Sequence, residues 1–201
     1  AEFVYYTQQL CEGNAVYDIA YNGDYYVAVG GNENGGVIVI SRDRTNWQVI
    51  SAEKALSGVV WGNELFIAVG KDGFVLTSVD GSSWDKKQIE SGIALYDIIW
   101  NNQLFVAVGE GCIYTSTNGQ QWTKVYEDSE SIIKKVHWNG KQFVAVGNKV
   151  IVSTDGSNWN STDTSYEMND ITWGNQRYIA VGPEGGTYFS YDGMGWISVP
   201  N

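Results

Sequence analysis

The tripeptide Ala-Val-Gly occurs five times, ending at Gly30, Gly70, Gly109, Gly147 and Gly182, at intervals of 40, 39, 38 and 35 residues. A second signature follows each copy: Ser41-x-Asp43, Ser78-x-Asp80, Ser116-x-Asn118, Ser153-x-Asp155 and Ser190-x-Asp192. A tryptophan closes each of these, at Trp47, Trp84, Trp122, Trp159 and Trp196. Another ring precedes each Ala-Val-Gly, at Tyr21, Trp61, Trp100, Trp138 and Trp173, and the two registers use all nine tryptophans of the chain. A period of this length marks a repeat architecture, in which each unit is one supersecondary element that cannot bury its apolar surface alone.

Each unit reads as four short strands. In the third they fall at about Leu95–Trp100, Gln103–Gly109, Cys112–Ser116 and Trp122–Tyr126. Leu104-Phe105-Val106-Ala107-Val108 is apolar at every position, as expected of a strand buried on both faces. Asn22-Gly23, Gly62-Asn63, Asn101-Asn102, Asn139-Gly140 and Gly174-Asn175 supply residues that tolerate the positive φ of tight hairpins. A four-stranded sheet this small buries two apolar faces only by packing radially against copies of itself. An open solenoid would need distinct capping ends, and none is visible. The expected fold is therefore all-β, a five-bladed β-propeller with four antiparallel strands per blade, in a single domain over 1–201. The blades fall at about 15–52, 55–91, 94–129, 132–164 and 167–200. Residues 1–14, with the strand-like run Phe3-Val4-Tyr5-Tyr6, are expected to help close the ring.

The pattern Ser-x-Asp-Gly-x-x-Trp, as in Ser78–Trp84, resembles the Asp-box (BNR-type) repeat Ser-x-Asp-x-Gly-x-x-Trp without its extra residue. Such propellers occur in sialidases, sortilin-type receptors, photosystem II assembly factors and bacterial surface proteins. The resemblance implies that Asp43, Asp80, Asn118, Asp155 and Asp192, with the five following tryptophans, are structural. The chemistry agrees: a short carboxylate or amide accepts backbone N–H bonds in a tight turn, and a tryptophan packs between sheets. One copy departs, with Arg44 where Gly81, Gly119, Gly156 and Gly193 stand in the others.

Composition excludes several function classes. The net charge is −11, and the basic residues are scattered, so the chain lacks the cationic patch that nucleic acid requires. No apolar run approaches the ~20 residues of a membrane span, so no membrane insertion is expected. Ala1–Leu10 has neither the basic start nor the apolar middle of a signal peptide, and the missing initiator Met reads as a processed product or an excised domain, expected to be a monomeric part of a larger protein. Cys11 and Cys112 form no metal or redox motif. Either a bridge or two thiols is compatible with them.

Catalytic signals are sparse. Sialidases use an arginine triad and a Tyr/Glu pair, but this chain has only Arg42, Arg44 and Arg177, and the predicted strand directions place them at hairpins on the face opposite the sialidase site. His137, the one histidine, precedes Trp138 within an innermost strand, where a core or channel role is expected. No nucleophile elbow, zinc spacing or phosphate loop occurs. The chain is read as non-catalytic, with no cofactor and no metal. One carboxylate set remains: Asp18, Asp97 and Asp170 share a repeat position with Gly58 and Lys135, placing them near one mouth of a central channel. They read either as solvated polar residues or as a cation or acid/base site.

The second-to-third strand turns and the links between blades vary while the scaffold repeats, as a binding surface on a rigid frame would. The candidate ligand residues there are Tyr17, Asp18, Tyr96, Asp97, Tyr166, Asn169, Asp170, Glu110 and Glu184. Rings beside carboxylates or amides suit stacking on a sugar with hydrogen bonds to its hydroxyls. The same tyrosines would serve equally to fill gaps between blades. The leading expectation is a recognition module of a secreted or cell-surface bacterial protein that binds a polysaccharide or glycan opposite the Asp-box hairpins. The alternative is a protein–protein interaction scaffold resembling the assembly-factor members. A glycoside-cleaving enzyme ranks third.

Overall fold

The structure, a computed structural model, describes residues 13–162 and 164–200. The expected closing strand at Phe3–Tyr6 and Cys11 lie outside the described residues. The chain divides into two compact units, Ala1–Asn102 and Gln103–Asn201.

The first unit holds β1 (Ala15–Tyr21), β2 (Tyr26–Asn32), β3 (Gly35–Ser41) and β4 (Gln48–Ala52), then β5 (Leu56–Gly62), β6 (Leu65–Gly70), β7 (Phe74–Ser78) and β8 (Asp85–Gln88), and finally β9 (Leu95–Trp100). The first eight make two antiparallel meanders, β1-β2-β3-β4 and β5-β6-β7-β8. Strand β9 lies so close to β5 that a Cβ on Gly58 would stand 3.1 Å from the Asp97 Cα. The second unit holds β10 (Phe105–Ser116), β11 (Thr123–Trp138), β12 (Phe143–Gly147), β13 (Val150–Ser153) and β14 (Asn160–Ser161). A last meander follows, β15 (Asp170–Gly174), β16 (Arg177–Val181), β17 (Thr187–Ser190) and β18 (Ile197–Ser198).

Four repeated sheets of four strands account for neither count nor continuity here: the described residues form four hydrogen-bonded sheets where five were expected. The difference arises between the third and fourth repeats. The turn expected after Gly109 and the link expected over Glu127–Ile133 are themselves laddered, with Glu110 opposite Ile132 and Cys112 opposite Glu127. The register shift there sets Gly111, at φ 67°, against residues 128–131, and pairing on both sides of this irregularity joins the two repeats through the long elements β10 and β11.

The expected burial of the second strand on both faces holds in β2, β6 and β12, whose central residues are buried without alternation; in β16 burial alternates and Val181 is exposed. Within each repeat the core is a trio of rings. Trp61 lies 4.6 Å from Phe66, which in turn lies 6.5 Å from Trp84. Trp138, Phe143 and Trp159 repeat this at 4.3 and 5.8 Å, and Trp173, Tyr178 and Trp196 at 4.5 and 6.3 Å. The middle ring is fully buried in all three. Both tryptophan registers thus serve one purpose, to sandwich the ring that begins the second strand. The first repeat substitutes a stacked Tyr21–Tyr26 pair at 4.3 Å, and Trp47 turns to the opposite side, against Ala28, Val37 and Val39.

The Ser-x-Asp turns are alike in every repeat. The serine Oγ accepts from the backbone N–H three residues on, at 2.8–2.9 Å, in Arg44, Gly81, Gly119, Gly156 and Gly193. The carboxylate or amide Oδ1 accepts two further N–H groups, as Asp80 does from Ser82 and Ser83 at 2.8 and 2.9 Å. The closing tryptophan donates its Nε1–H back to the carbonyl of the same third residue, at 2.8 Å for Trp84 and Gly81. These bonds hold Asp80 down to about 2, chiefly through the N–H of Ser83 and then Ser82. Asp43, Asp155 and Asp192 are also held well below the usual carboxylate range, each first by a backbone N–H of its own turn. Asn118 makes the same pair of bonds without a charge, at 2.9 Å from both Gln120 and Gln121.

The turn glycine is required twice over. It adopts positive φ, 76° at both Gly81 and Gly156, and it presses on the preceding sheet. A Cβ on Gly81 would stand 2.7 Å from Ile40 Cδ1, and one on Gly156 2.5 Å from Leu104 Cδ2. Arg44 holds the same conformation, φ 66°, with an exposed side chain. A non-glycine residue there costs about 1–2 kcal/mol of backbone strain.

In thermal unfolding, Arg44→Gly gains about 1 kcal/mol, whereas Gly81→Ala loses more than ~1 kcal/mol, since strain and overlap add. Phe143→Ala costs about 3–5 kcal/mol. As pH falls from about 4 to about 2 the melting temperature drops, because carboxyls held below their unfolded values stabilise the fold only while ionised. Asp155→Asn removes part of that drop while retaining the fold at neutral pH, as Asn118 does.

Candidate functional site

In the first unit, Tyr17 is 59% exposed and lies on β1 in a row with Ile19 at 55% and Tyr21 at 49%. Exposure alternates from Tyr17 to Tyr21, with Asp18 and Ala20 less exposed between them; Tyr17 occupies the irregularity between Val16 and Asp18, and Ala20 joins the core between the sheets. Asp18 is committed to the scaffold: its Oδ2 accepts the N–H of Val59 at 2.8 Å and its Oδ1 that of Ile19 at 2.9 Å. The carboxylate therefore ties β1 to β5 across two sheets. Tyr96 is half-buried and Asp97 is 5% exposed, so Asp97 presents little surface to a ligand.

In the second unit, Asp170 is exposed at the start of β15 and accepts from its neighbour Ile171 N–H at 2.8 Å. Asn169 and Glu167 share the ammonium of Lys134, at 2.7 Å each. Glu110 stands exposed in the β10–β11 ladder. Glu184 occupies a 3-10 turn, Pro183–Gly185, at φ 54°. Tyr166 stacks on Tyr188 at 4.5 Å and 27°, which occupies one face of the ring. His137 is half-buried with its ring edge-on to Tyr178 at 6.5 Å; desolvation lowers its pKa, and the charge of Asp170 opposes that shift. Among the described residues no group of three His, Cys, Asp or Glu side chains is arranged to hold a metal.

Two cavities stand out, one in each unit. The cavity in the second unit, about 570 Å³, lies around Tyr166, with Trp196 and Met194 opposite the hydroxyls of Ser161, Thr164 and Ser165. Thr162 also lines it, and its Oγ1 is buried with no hydrogen-bond partner. The cavity in the first unit, about 450 Å³, opens among the Ser-x-Asp turns, between Tyr25 and Arg42 on one sheet and Asp80 and Ser82 on the next. Sequence reasoning placed ligands at the opposite ends of the strands, weighed Arg42 only as a sialidase-type arginine and did not single out Tyr25. A signal existed in the column just before the aromatic of the second strand, where Tyr25, Leu65, Leu104, Gln142 and Arg177 differ while the position that follows is aromatic in every repeat.

The bond from Val59 to Asp18 gives a direct test. Asp18→Ala strands a buried N–H and costs about 1–3 kcal/mol, whereas Asp18→Asn, which keeps an acceptor, costs less. Chemical denaturation of the two variants measures the difference.

No family model matches the chain, and no curated protein matches it either. Solved structures do. YCF48 bound to D1 peptide superimposes with a TM-score of 0.70 at 16% identity, covering 92% of this chain and 68% of that one. YCF48 from Cyanidioschyzon merolae gives 0.69 at 16% identity over 93% and 72%. The WD40 β-propeller domain of Doa1 gives 0.68 at 10% identity over 92% and 68%. The chain is thus similar to propellers of differing sequence, and its fold is an all-β propeller.

Proposed function

We propose that this protein is a non-catalytic propeller that binds a peptide or an extended segment of another protein. The observation that carries the reading is the row Tyr17, Ile19 and Tyr21 on β1, three large apolar side chains each about half exposed on an otherwise acidic, charge-bearing chain. Adjacent exposed apolar groups of this size mark interaction surfaces, and tyrosine is a favoured anchor residue. The likeness to a propeller bound to a peptide supports the same reading. The tie from Asp18 to β5 weighs against acid/base chemistry at that carboxylate. We further propose that the five sequence repeats act as five blades of Asp-box type, the third and fourth joined through their laddered connections. The five equivalent turns support this.

One observation favours carbohydrate as a second reading. Among the described residues, the Tyr166 cavity is walled by Trp196 and lined by several hydroxyls, a setting suited to a sugar.

Selection from a displayed peptide library, run beside a glycan array, separates the two. We expect enriched peptides that bind saturably, with affinity falling about ten-fold or more in Tyr17→Ala and Ile19→Asp, a loss of at least ~1.4 kcal/mol. Saturable glycan binding with no enriched peptide, lost in Trp196→Ala, would establish the second reading instead.

A further inference from the structure

Where consecutive sheets of one unit meet, the side chain that begins the second strand of one sheet faces the Ser-x-Asp turn of the next. In the second unit this notch is filled. Gln142 donates its amide to the Asp192 carbonyl and lies 3.3 Å from the Tyr178 hydroxyl, and Leu104 packs against Gly156. In the first unit the corresponding residue is Tyr25, and the space between it and Asp80–Ser82 remains open as the 450 Å³ cavity.

The charges around this opening are unbalanced. Asp43 and Asp80 line it and Asp24 stands at its rim, against one cation, Arg42. The turn N–H groups keep Asp43 and Asp80 ionised well into acid. An anionic ligand would meet three carboxylates, whereas a cation would be drawn in both by them and by the net charge of −11. The chain itself shows which cation the rim accepts. The Arg42 guanidinium lies 5.7 Å over the Tyr25 ring and 3.6 Å from the Asp24 carboxylate, with both side chains about 70% exposed. Ring and carboxylate together form a seat for a planar cation, but an ion pair this long and exposed holds its occupant weakly.

We infer that this cavity receives an arginine side chain of a protein partner, which displaces Arg42 from Tyr25 and pairs with Asp80 and Asp43. The inference rests on the partner-binding reading above and names the chemistry of one of its contacts. It places that contact at the turn side of the first unit, apart from the β1 row.

The test is an NMR titration of the full chain, labelled with ¹⁵N, using N-acetyl-arginine methylamide and its neutral isostere N-acetyl-citrulline methylamide. We expect saturable shifts at the amides of residues 42–48 and 80–83 with the arginine compound and none with the citrulline compound. Asp80→Asn should abolish the localised shifts without unfolding the turn, since Asn118 already makes the same bonds. Arg42→Ala, which vacates the seat, should tighten binding about two- to five-fold. Shifts spread evenly over the acidic surface, shifts unchanged in Asp80→Asn, or no saturation would each overturn the proposal. Saturable arginine binding with a failed peptide selection would sink the partner-binding reading and leave the cation seat standing. Selected peptides that bind while the arginine compound does not would do the reverse.

Discussion

The Ser-x-Asp turn is the interaction on which the rest of the structure depends. Six or seven residues satisfy three backbone N–H groups, one through serine and two through the carboxylate or amide, and the closing indole bonds back to the turn carbonyl. A buried backbone donor without a partner would cost about 1–3 kcal/mol, so the motif removes that cost where a tight hairpin would otherwise incur it. Its second effect is directional. By anchoring the indole N–H, the turn fixes where the ring lies, and the ring then closes over the aromatic residue that begins the second strand. Local hydrogen bonding and core packing are thereby one device, repeated along the chain.

The repeat also shows where variation is tolerated. Changing the turn glycine is costly where it combines positive φ with pressure from a preceding sheet, as at Gly81 and Gly156. The column before the aromatic of the second strand is free to change, because it sits at the rim of the sheet contact and not inside it. Gln142 uses that freedom to bridge two sheets, and Tyr25 uses it to leave a cavity. A scaffold of this kind acquires a site by omission: one notch left unfilled, with its walls already rigid.

Much of the scaffold was legible in the sequence. The Ala-Val-Gly spacing located the doubly buried strands, and the Ser-x-Asp signature located the turns, because both depend on bonds and contacts within about forty residues. The fusion of the third and fourth repeats was not legible. Glu110-Gly111 and the stretch from Glu127 to Ile133 carry turn-like residues, and only the pairing of one against the other reveals that they are laddered. The site was read less well than the fold. Asp18 looked like a ligand carboxylate because its sequence neighbours are a tyrosine and an apolar strand; its actual partner, Val59 N–H, is forty-one residues away. Tyr166, read as a candidate ligand residue, does line a cavity, but its stacking on Tyr188 could not be read from spacing. The features that sequence reasoning missed, Tyr25 and the place of Arg42 over its ring, lay on the hairpin side that the family resemblance marked as structural.

The outermost strands carry a consequence of another kind. Strands β14 and β18 pair over only two residues each, and β8 reads Asp85-Lys86-Lys87-Gln88 with every side chain exposed. A sheet edge is a template on which a second chain can add a strand, and long, flat, apolar edges are where proteins polymerise. These three rims are too short or too charged to serve as templates, whereas β4 offers five paired and uncharged residues, Gln48–Ala52. An architecture of many small sheets has many rims, and its solubility depends on how each one is finished.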